Sequence, residues 1–137
     1  FPSYCCQGHL YGTDGPPGNT VGMFGRHHRS ISFSEVADGL SNTLMLGETL
    51  PKQCTYNGAY NMNFPIAGTT IPINIFEETI EGQDTLWYRG CGYKSLHPGG
   101  ANFALGDGSV HFFFDSIDYR LYNNLGTRAG GEIVKVP

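Results

Sequence analysis

Charged residues are scarce in this chain, and cations are the scarcest. Of 137 residues only eight are lysine or arginine, against twelve aspartate or glutamate, which gives a formal net charge of −4 at pH 7. A surface this poor in cations has little attraction for phosphate backbones or anionic lipid head groups. We therefore expect no nucleic-acid partner.

Long apolar runs and familiar enzyme motifs are also missing. No uninterrupted apolar stretch exceeds a few residues, so no membrane span is expected in this chain, and no leader resembles a signal peptide. The sequence contains no His-Glu-x-x-His, P-loop, dinucleotide fingerprint or nucleophile elbow. We expect a protein that is not an enzyme and that holds no cofactor.

Glycine and aromatic residues are abundant instead. The chain has 20 glycines, 13% aromatic residues and 15% charged residues, whereas an average protein has about 25% charged residues. This composition is typical of a loop-rich β-type protein. The length predicts a single domain over residues 1–137.

The four cysteines lack the spacing of a metal site. They form no Cys-x-x-Cys pair and have no histidine at zinc-finger spacing. A bridge between adjacent cysteines would be strained, which leaves Cys5–Cys54 with Cys6–Cys91, or the crossed alternative. Disulfides persist in oxidising compartments, so we expect an exported protein, extracellular, periplasmic or on the cell surface. Free buried thiols in a cytosolic protein are the alternative.

The clearest local pattern is HPGGANFALGDGSVHFF, at residues 97–113. Apolar residues alternate with polar or small ones on both sides of Gly106-Asp107-Gly108, and Asp-Gly supplies the positive φ angles of a short turn. We predict a β-hairpin with one buried side. That side is predicted to carry Ala101, Phe103 and Leu105 from the first strand, and Val110, Phe112 and Phe114 from the second.

Other segments complete an α+β fold that is mainly antiparallel sheet. A buried strand is predicted over 43–48, and a short helix near 34–39 runs from Ser34 as N-cap to Gly39 as C-cap. A longer helix near 116–125 is capped by Asp115 or Ser116. The apolar stripe of this helix is Ile117, Leu121 and Leu125. Three further short strands are predicted. They are one at Ile31 and Phe33, one on a sheet edge at Ile71, Ile73 and Ile75, and one at Ile133, Val134 and Val136.

The hairpin and two further blocks resemble a bacterial family, the prepilin-type-processing-associated H-x9-DG domain. The likeness rests on His97 and Asp107-Gly108, on FGRHHRSISFSEVADGLSNTLMLGE at 24–48, and on LGTRAGGEIV at 125–134, together roughly half of the chain. His111 stands where arginine is more usual. The chain begins at Phe1 with neither a prepilin cleavage site nor the usual long apolar helix, so we expect no membrane anchoring of this form.

The resemblance implies the loop-rich globular head of a pilin-like or pseudopilin-like exported protein. Its expected role is that of a structural subunit in an extracellular or cell-surface assembly, with self-association into a homo-oligomer or filament. We expect His97 to be structural, bonded to a backbone carbonyl or to Asp107 in the hairpin turn. The family-motif residues in this chain are His97, Asp107, Gly108, Asp38, Gly39, Ser41, Asn42 and Thr43.

The alternative hypothesis is an extracellular module that binds a glycan or calcium. It uses the central segment, about 51–92, which matches none of the family motifs and which we interpret as a variable insertion. Tyrosine and tryptophan rings beside asparagine amides suit a sugar, a protein interface or ordinary packing, and carboxylates suit calcium. The aromatic candidates are Tyr56, Tyr60, Trp87 and Tyr88, and the calcium candidates are Glu77, Glu78, Glu81 and Asp84, with Asp107 as a separate single carboxylate.

Overall fold

Three antiparallel strands and one following helix form the framework of a computed structural model, which describes residues 21–24, 30–53, 67–76, 92–132 and 134–137. The strands lie side by side in chain order. The predicted α+β class, with a C-terminal hairpin followed by a helix, is confirmed. The elements are β1 (Leu44–Gly47), β2 (Gly100–Leu105), β3 (Val110–Phe114) and α1 (Tyr119–Leu125), with 3-10 turns at Phe33–Glu35, Leu40–Asn42 and Pro51–Gln53.

A three-residue turn sets the register of the hairpin. The Leu105 amide donates to the Ser109 carbonyl at 2.9 Å, which closes the turn over residues 106–108. Odd-numbered residues of β2 therefore pair with odd-numbered residues of β3, and Ala101 stands opposite Phe113. Because paired residues share a face of the sheet, Phe113 lies on the same side as the buried residues of β2.

The predicted buried side is right for β2 and wrong for β3. Phe113 is 2% exposed, whereas Val110, Phe112 and Phe114 are 67%, 39% and 63% exposed. The prediction assumed that every apolar alternation faces the core. We name the two sides by their residues: the inner face carries Ala101, Phe103, Leu105 and Phe113, and the outer face carries Leu46, Ala104, Val110, Phe112 and Phe114.

The core is built around the ring of Phe103 on the inner face. This ring makes edge contacts with Tyr93, Phe113 and Tyr122, at centroid distances of 4.9, 5.4 and 6.0 Å. Tyr122 belongs to α1, so the helix packs against the inner face. Burial raises the pKa of the Tyr93 hydroxyl to about 12, which keeps this core residue neutral.

The C-terminal helix begins later than the sequence predicts. The Ile117 amide donates to the Phe114 carbonyl at 3.0 Å, which makes a turn after β3. Asp118 then caps α1 by accepting the Leu121 amide at 2.8 Å. The predicted caps Asp115 and Ser116 are therefore wrong. Of the predicted stripe, Leu125 is fully buried, whereas Ile117 precedes the helix and is partly buried.

The predicted helix near 34–39 is two separate 3-10 turns. Ser32, rather than Ser34, begins the first turn, where its amide donates to Glu35 Oε2 at 2.9 Å. Gly39 has the predicted positive φ, 95°, but it joins the two turns instead of ending one helix. Phe33 lies in the first turn and is 66% exposed, so the strand predicted there is wrong.

The strands predicted at 71–75 and at the C-terminal end are also wrong. Ile71 and Ile73 are buried, yet the described residues 67–76 contain no strand, because Asn74 adopts a positive φ of 61° that breaks extended structure. Residues 134–137 are likewise not a strand, and Ile133 lies outside the described residues. Alternating apolar residues indicated burial at 71–73 without strand pairing.

Candidate functional site

Two blocks of the motif meet at the open end of the hairpin, where Glu48 follows β1. Glu48 Oε1 lies 3.3 Å from His97 Nε2, and Glu48 Oε2 accepts the Asn102 amide at 2.8 Å. The Glu48 carbonyl also accepts the Lys94 amide at 2.9 Å. One glutamate thus connects β1, β2 and the turn that holds His97. Asp107 lies at the other end of the hairpin, so the predicted bond between His97 and Asp107 is wrong, and His97 contacts Glu48 instead.

The Glu48 carboxylate is held in its ionised form. Burial alone would raise its pKa, but the hydrogen bond from Asn102 and the charge of the nearby His97 outweigh that effect and lower the pKa below 4.5. At neutral pH Glu48 is therefore an acceptor for its neighbours.

An open pocket of about 330 Å³ adjoins the pair. The Ser95 hydroxyl beside it donates to the Gly100 carbonyl at 2.7 Å and accepts the His97 amide at 3.0 Å. The buried Lys94 donates from Nζ to the Ile75 carbonyl. The Ser95 hydroxyl and the Lys94 ammonium group are thus both bonded to the backbone. Its lining is Glu48, Thr49, Leu50, Lys94, Ser95, Leu96 and His97.

Glycine precedes Glu48 because two aromatic rings come close to its backbone. A Cβ on Gly47 would lie 2.5 Å from Tyr93 Cδ1 and 2.7 Å from Phe103 Cδ1. A larger residue would push these rings out of the core. In the Gly47-Glu48 pair, glycine is required for the packing of the rings, and glutamate is required for the polar contacts with Asn102 and His97.

Asp38 anchors the C-terminal segment. Its Oδ2 accepts the Gly130 amide at 2.7 Å, and its Oδ1 accepts the Gly131 amide at 2.9 Å. The Asp38 amide donates in turn to the Arg128 carbonyl at 3.1 Å. Asp38 thus holds a turn that lies more than 90 residues further along the chain.

The rest of this loop connects to the hairpin turn. Asn42 Nδ2 donates to the Asp38 carbonyl at 3.2 Å, and Thr43 Oγ1 donates to the Gly39 carbonyl at 3.0 Å. The Thr43 carbonyl accepts the Gly106 amide at 2.9 Å. Ser41 is exposed. The 38–43 block is therefore a connector between the C-terminal segment and the hairpin.

The hairpin turn contains a row of Asp107, Ser109 and His111. The Ser109 hydroxyl and amide donate to Asp107 Oδ1 at 2.7 and 2.9 Å, which lowers the pKa of the Asp107 carboxyl. His111 Nε2 lies 3.2 Å from Ser109 Oγ. A hydrolytic triad needs the histidine between the other two, ready to take the serine proton. Here the hydroxyl proton of Ser109 is donated to Asp107, so these three residues stabilise the turn and do not form a triad. Gly108 supplies the positive φ of 86° that the turn requires.

The model of the family described as "Protein of unknown function (DUF1559)" matches the chain over residues 6–120. The chain belongs to this family. No curated protein and no solved structure matches the chain. The region shared with the DUF1559 family contains all three strands, Asp38, Glu48 and His97.

Three site residues, Glu48, Gly130 and Gly131, were missing from our sequence-based candidates for this DUF1559 chain. Glu48 appeared only as the last residue of the block at 24–48, and the amides of Gly130 and Gly131 were not expected to bind a carboxylate. Contact between different motif blocks is the signal that would have identified all three. Within the described residues, no helix is long and apolar enough to cross a membrane, and no three histidine, cysteine, aspartate or glutamate side chains are grouped as for a metal.

The remaining candidates lie outside the described residues, and their predictions stay predictions. They include the four cysteines and the aromatic and acidic candidates of the central segment: Cys5, Cys6, Cys54, Cys91, Tyr56, Tyr60, Trp87, Tyr88, Glu77, Glu78, Glu81 and Asp84.

Glu48→Gln should lower stability in a way that depends on pH. The pKa of Glu48 is lowered by folding, so its charge stabilises the native state above about pH 4.5 and loses that effect as pH falls through the folded pKa. Glutamine keeps an oxygen for the Asn102 amide and removes the charge. Urea denaturation of both proteins should show a difference in the free energy of unfolding at neutral pH, and this difference should close as the pH falls through the folded pKa of Glu48. A gap that stays constant with pH would show that the charge of Glu48 does not stabilise the fold.

Proposed function

We propose that the chain is a non-enzymatic structural subunit of an exported, pilin-like or pseudopilin-like assembly, and that it belongs to the H-x9-DG group. One observation carries this proposal. The carboxylates of Asp38, Glu48 and Asp107 each accept at least one backbone amide. Carboxylates used in this way fix the path of the chain, so the motif serves architecture in preference to catalysis.

The surface supports the assembly part of the proposal. Val110, Phe114 and Leu46 on the outer face are 67%, 63% and 55% exposed. Exposed apolar patches of this kind mark sites of protein association on many soluble proteins. The low content of charged residues leaves little repulsion between copies.

The test is the assembly state of the protein. The full chain is examined by light scattering over a wide concentration range and by electron microscopy, and particles of several subunits are the expected result. A monomer at every concentration would contradict the proposal. A monomer whose melting temperature rises with calcium or with an oligosaccharide would favour the ligand-binding module in its place.

A further inference from the structure

Among the described residues, strand β3 ends the sheet and its outer edge is open. In the order β1-β2-β3 of that part of the chain, β3 pairs with β2 on one side only. Odd-numbered residues bond to each other across the hairpin. The Leu105 amide donates to the Ser109 carbonyl at one end, and the Asp115 amide donates to the Gly99 carbonyl at the other. In an antiparallel pair the intervening residues direct their backbone groups away from the partner strand. Val110, Phe112 and Phe114 therefore present theirs to the open edge.

Within the part of the chain that the structure describes, the open edge is unpaired along most of its length. Among the described residues, the only backbone bond formed there is from the Ile117 amide to the Phe114 carbonyl. The amides of Val110 and Phe112 have no partner within that part of the chain. The same three residues carry the exposed apolar side chains of the outer face, so backbone groups and apolar surface coincide.

Nothing in β3 protects this edge from pairing. Natural sheet edges are commonly blocked by lysine, proline or an inward charge. The sequence of β3 is Val-His-Phe-Phe-Phe, with no lysine, proline or acidic residue. Such a strand fits a second extended segment that alternates apolar residues in the same way.

We propose that the outer edge of β3 pairs antiparallel with β3 of a second copy of this chain. Phe112 lies at the centre of the strand, so a two-fold axis there sets it opposite the partner's Phe112 and sets Val110 opposite the partner's Phe114. Pairs of aromatic and β-branched residues stabilise antiparallel strands. The two sheets become one six-stranded sheet. This inference rests on the proposed function, because it names the contact by which the subunit self-associates.

A second copy fits this edge better than a charged ligand. The edge offers no charge to an acidic or basic peptide, whereas a copy of β3 supplies matching apolar residues in both halves of the pair. The exposed parts of the three side chains amount to about 300 Å² per copy, given about 150–250 Å² for a large side chain. A stable complex buries about 800 Å² per partner. A single contact is therefore weak, and because a two-fold contact closes on itself, it joins the copies in pairs.

A charge pair tests the register. Val110→Lys or Phe114→Glu alone places a charge opposite an apolar residue, and each should raise the dimer dissociation constant of the full chain at least about tenfold. In a mixture of the two variants, the lysine of one copy faces the glutamate of the other, and association should return. Sedimentation equilibrium measures all three samples. Both replaced side chains are more than 60% exposed, and restoration on mixing requires folded chains.

Leu46→Lys is the matched control. Leu46 is 55% exposed on the outer face, but it belongs to β1 at the opposite edge of the sheet. Edge pairing through β3 predicts no effect of this variant. An equal loss with Leu46→Lys would indicate stacking through the face and would overturn the inference. If neither Val110→Lys nor Phe114→Glu changed the dissociation constant, the inference would be overturned and the proposed function would stand. A monomeric wild type would overturn both.

Discussion

Phe113→Ala should lower the free energy of unfolding by about 3–5 kcal/mol, whereas Phe114→Ala should change it by less than about 1 kcal/mol. The two phenylalanines are neighbours in β3, but Phe113 is 2% exposed and packs on Phe103, while Phe114 is 63% exposed. Truncation leaves a cavity only at the buried position. Urea denaturation at low protein concentration, where the subunit is monomeric, measures both values.

Each variant is a control for the other, because both replace phenylalanine by alanine in the same strand and so change the strand propensity equally. Both remove the same ring from adjacent positions of one strand. Equal losses, or a larger loss for Phe114→Ala, would mean that the hairpin register is shifted by one residue.

Asp38→Ala should lower the free energy of unfolding by about 2 kcal/mol, because two backbone amides lose a charged acceptor at a partly exposed site. The amides of Gly130 and Gly131 should also exchange hydrogen with solvent faster than in the wild type, since both donate to Asp38. Urea denaturation and amide exchange measure the two effects.

Asp115→Ala is the matched control for Asp38→Ala. Asp115 is an exposed aspartate directly after β3, and its replacement should change stability by no more than about 0.5 kcal/mol. If Asp38→Ala behaved like this control, and the two glycine amides kept their protection, Asp38 would not be the anchor of the C-terminal segment.

Local signals in the sequence predicted the framework of the fold. The Asp-Gly turn and the alternation before it identified the hairpin, and the apolar run at 43–48 identified β1. The face of β3 could also have been derived. A turn over three residues pairs Ala101 with Phe113, and this arithmetic excludes Phe112 and Phe114 from the inner face. The apolar alternation of β3 by itself does not indicate which face of the sheet it occupies, whereas the turn length does.

The contacts of the candidate site are beyond local reasoning. Glu48 and Asn102 are 54 residues apart, and Asp38 and Gly130 are 92 residues apart. Each contact follows from how β1 aligns with β2 or where the C-terminal segment docks, and neither is encoded in a short window. The motif blocks marked which residues matter, but they did not indicate which block meets which.

The alternation of apolar residues at Ile71 and Ile73 correctly indicated burial but not secondary structure. Both side chains are buried, so the pattern reported the environment of the side chains correctly. The backbone, however, turns at Asn74, whose amide donates to the Tyr93 carbonyl at 3.1 Å. A run of three alternating residues is too short to distinguish a strand from a loop that is pressed against the core.

The bond from the Lys94 amide to the Glu48 carbonyl has an evolutionary consequence. Together with the contact between His97 and Glu48, it fastens both ends of the intervening stretch beside the sheet. The entropy of closing a flexible loop rises only with the logarithm of its length, about 0.6 kcal/mol for each doubling. Selection can therefore change the length of that stretch at small cost, provided that Ile73 and Tyr93 still reach the core beside Phe103.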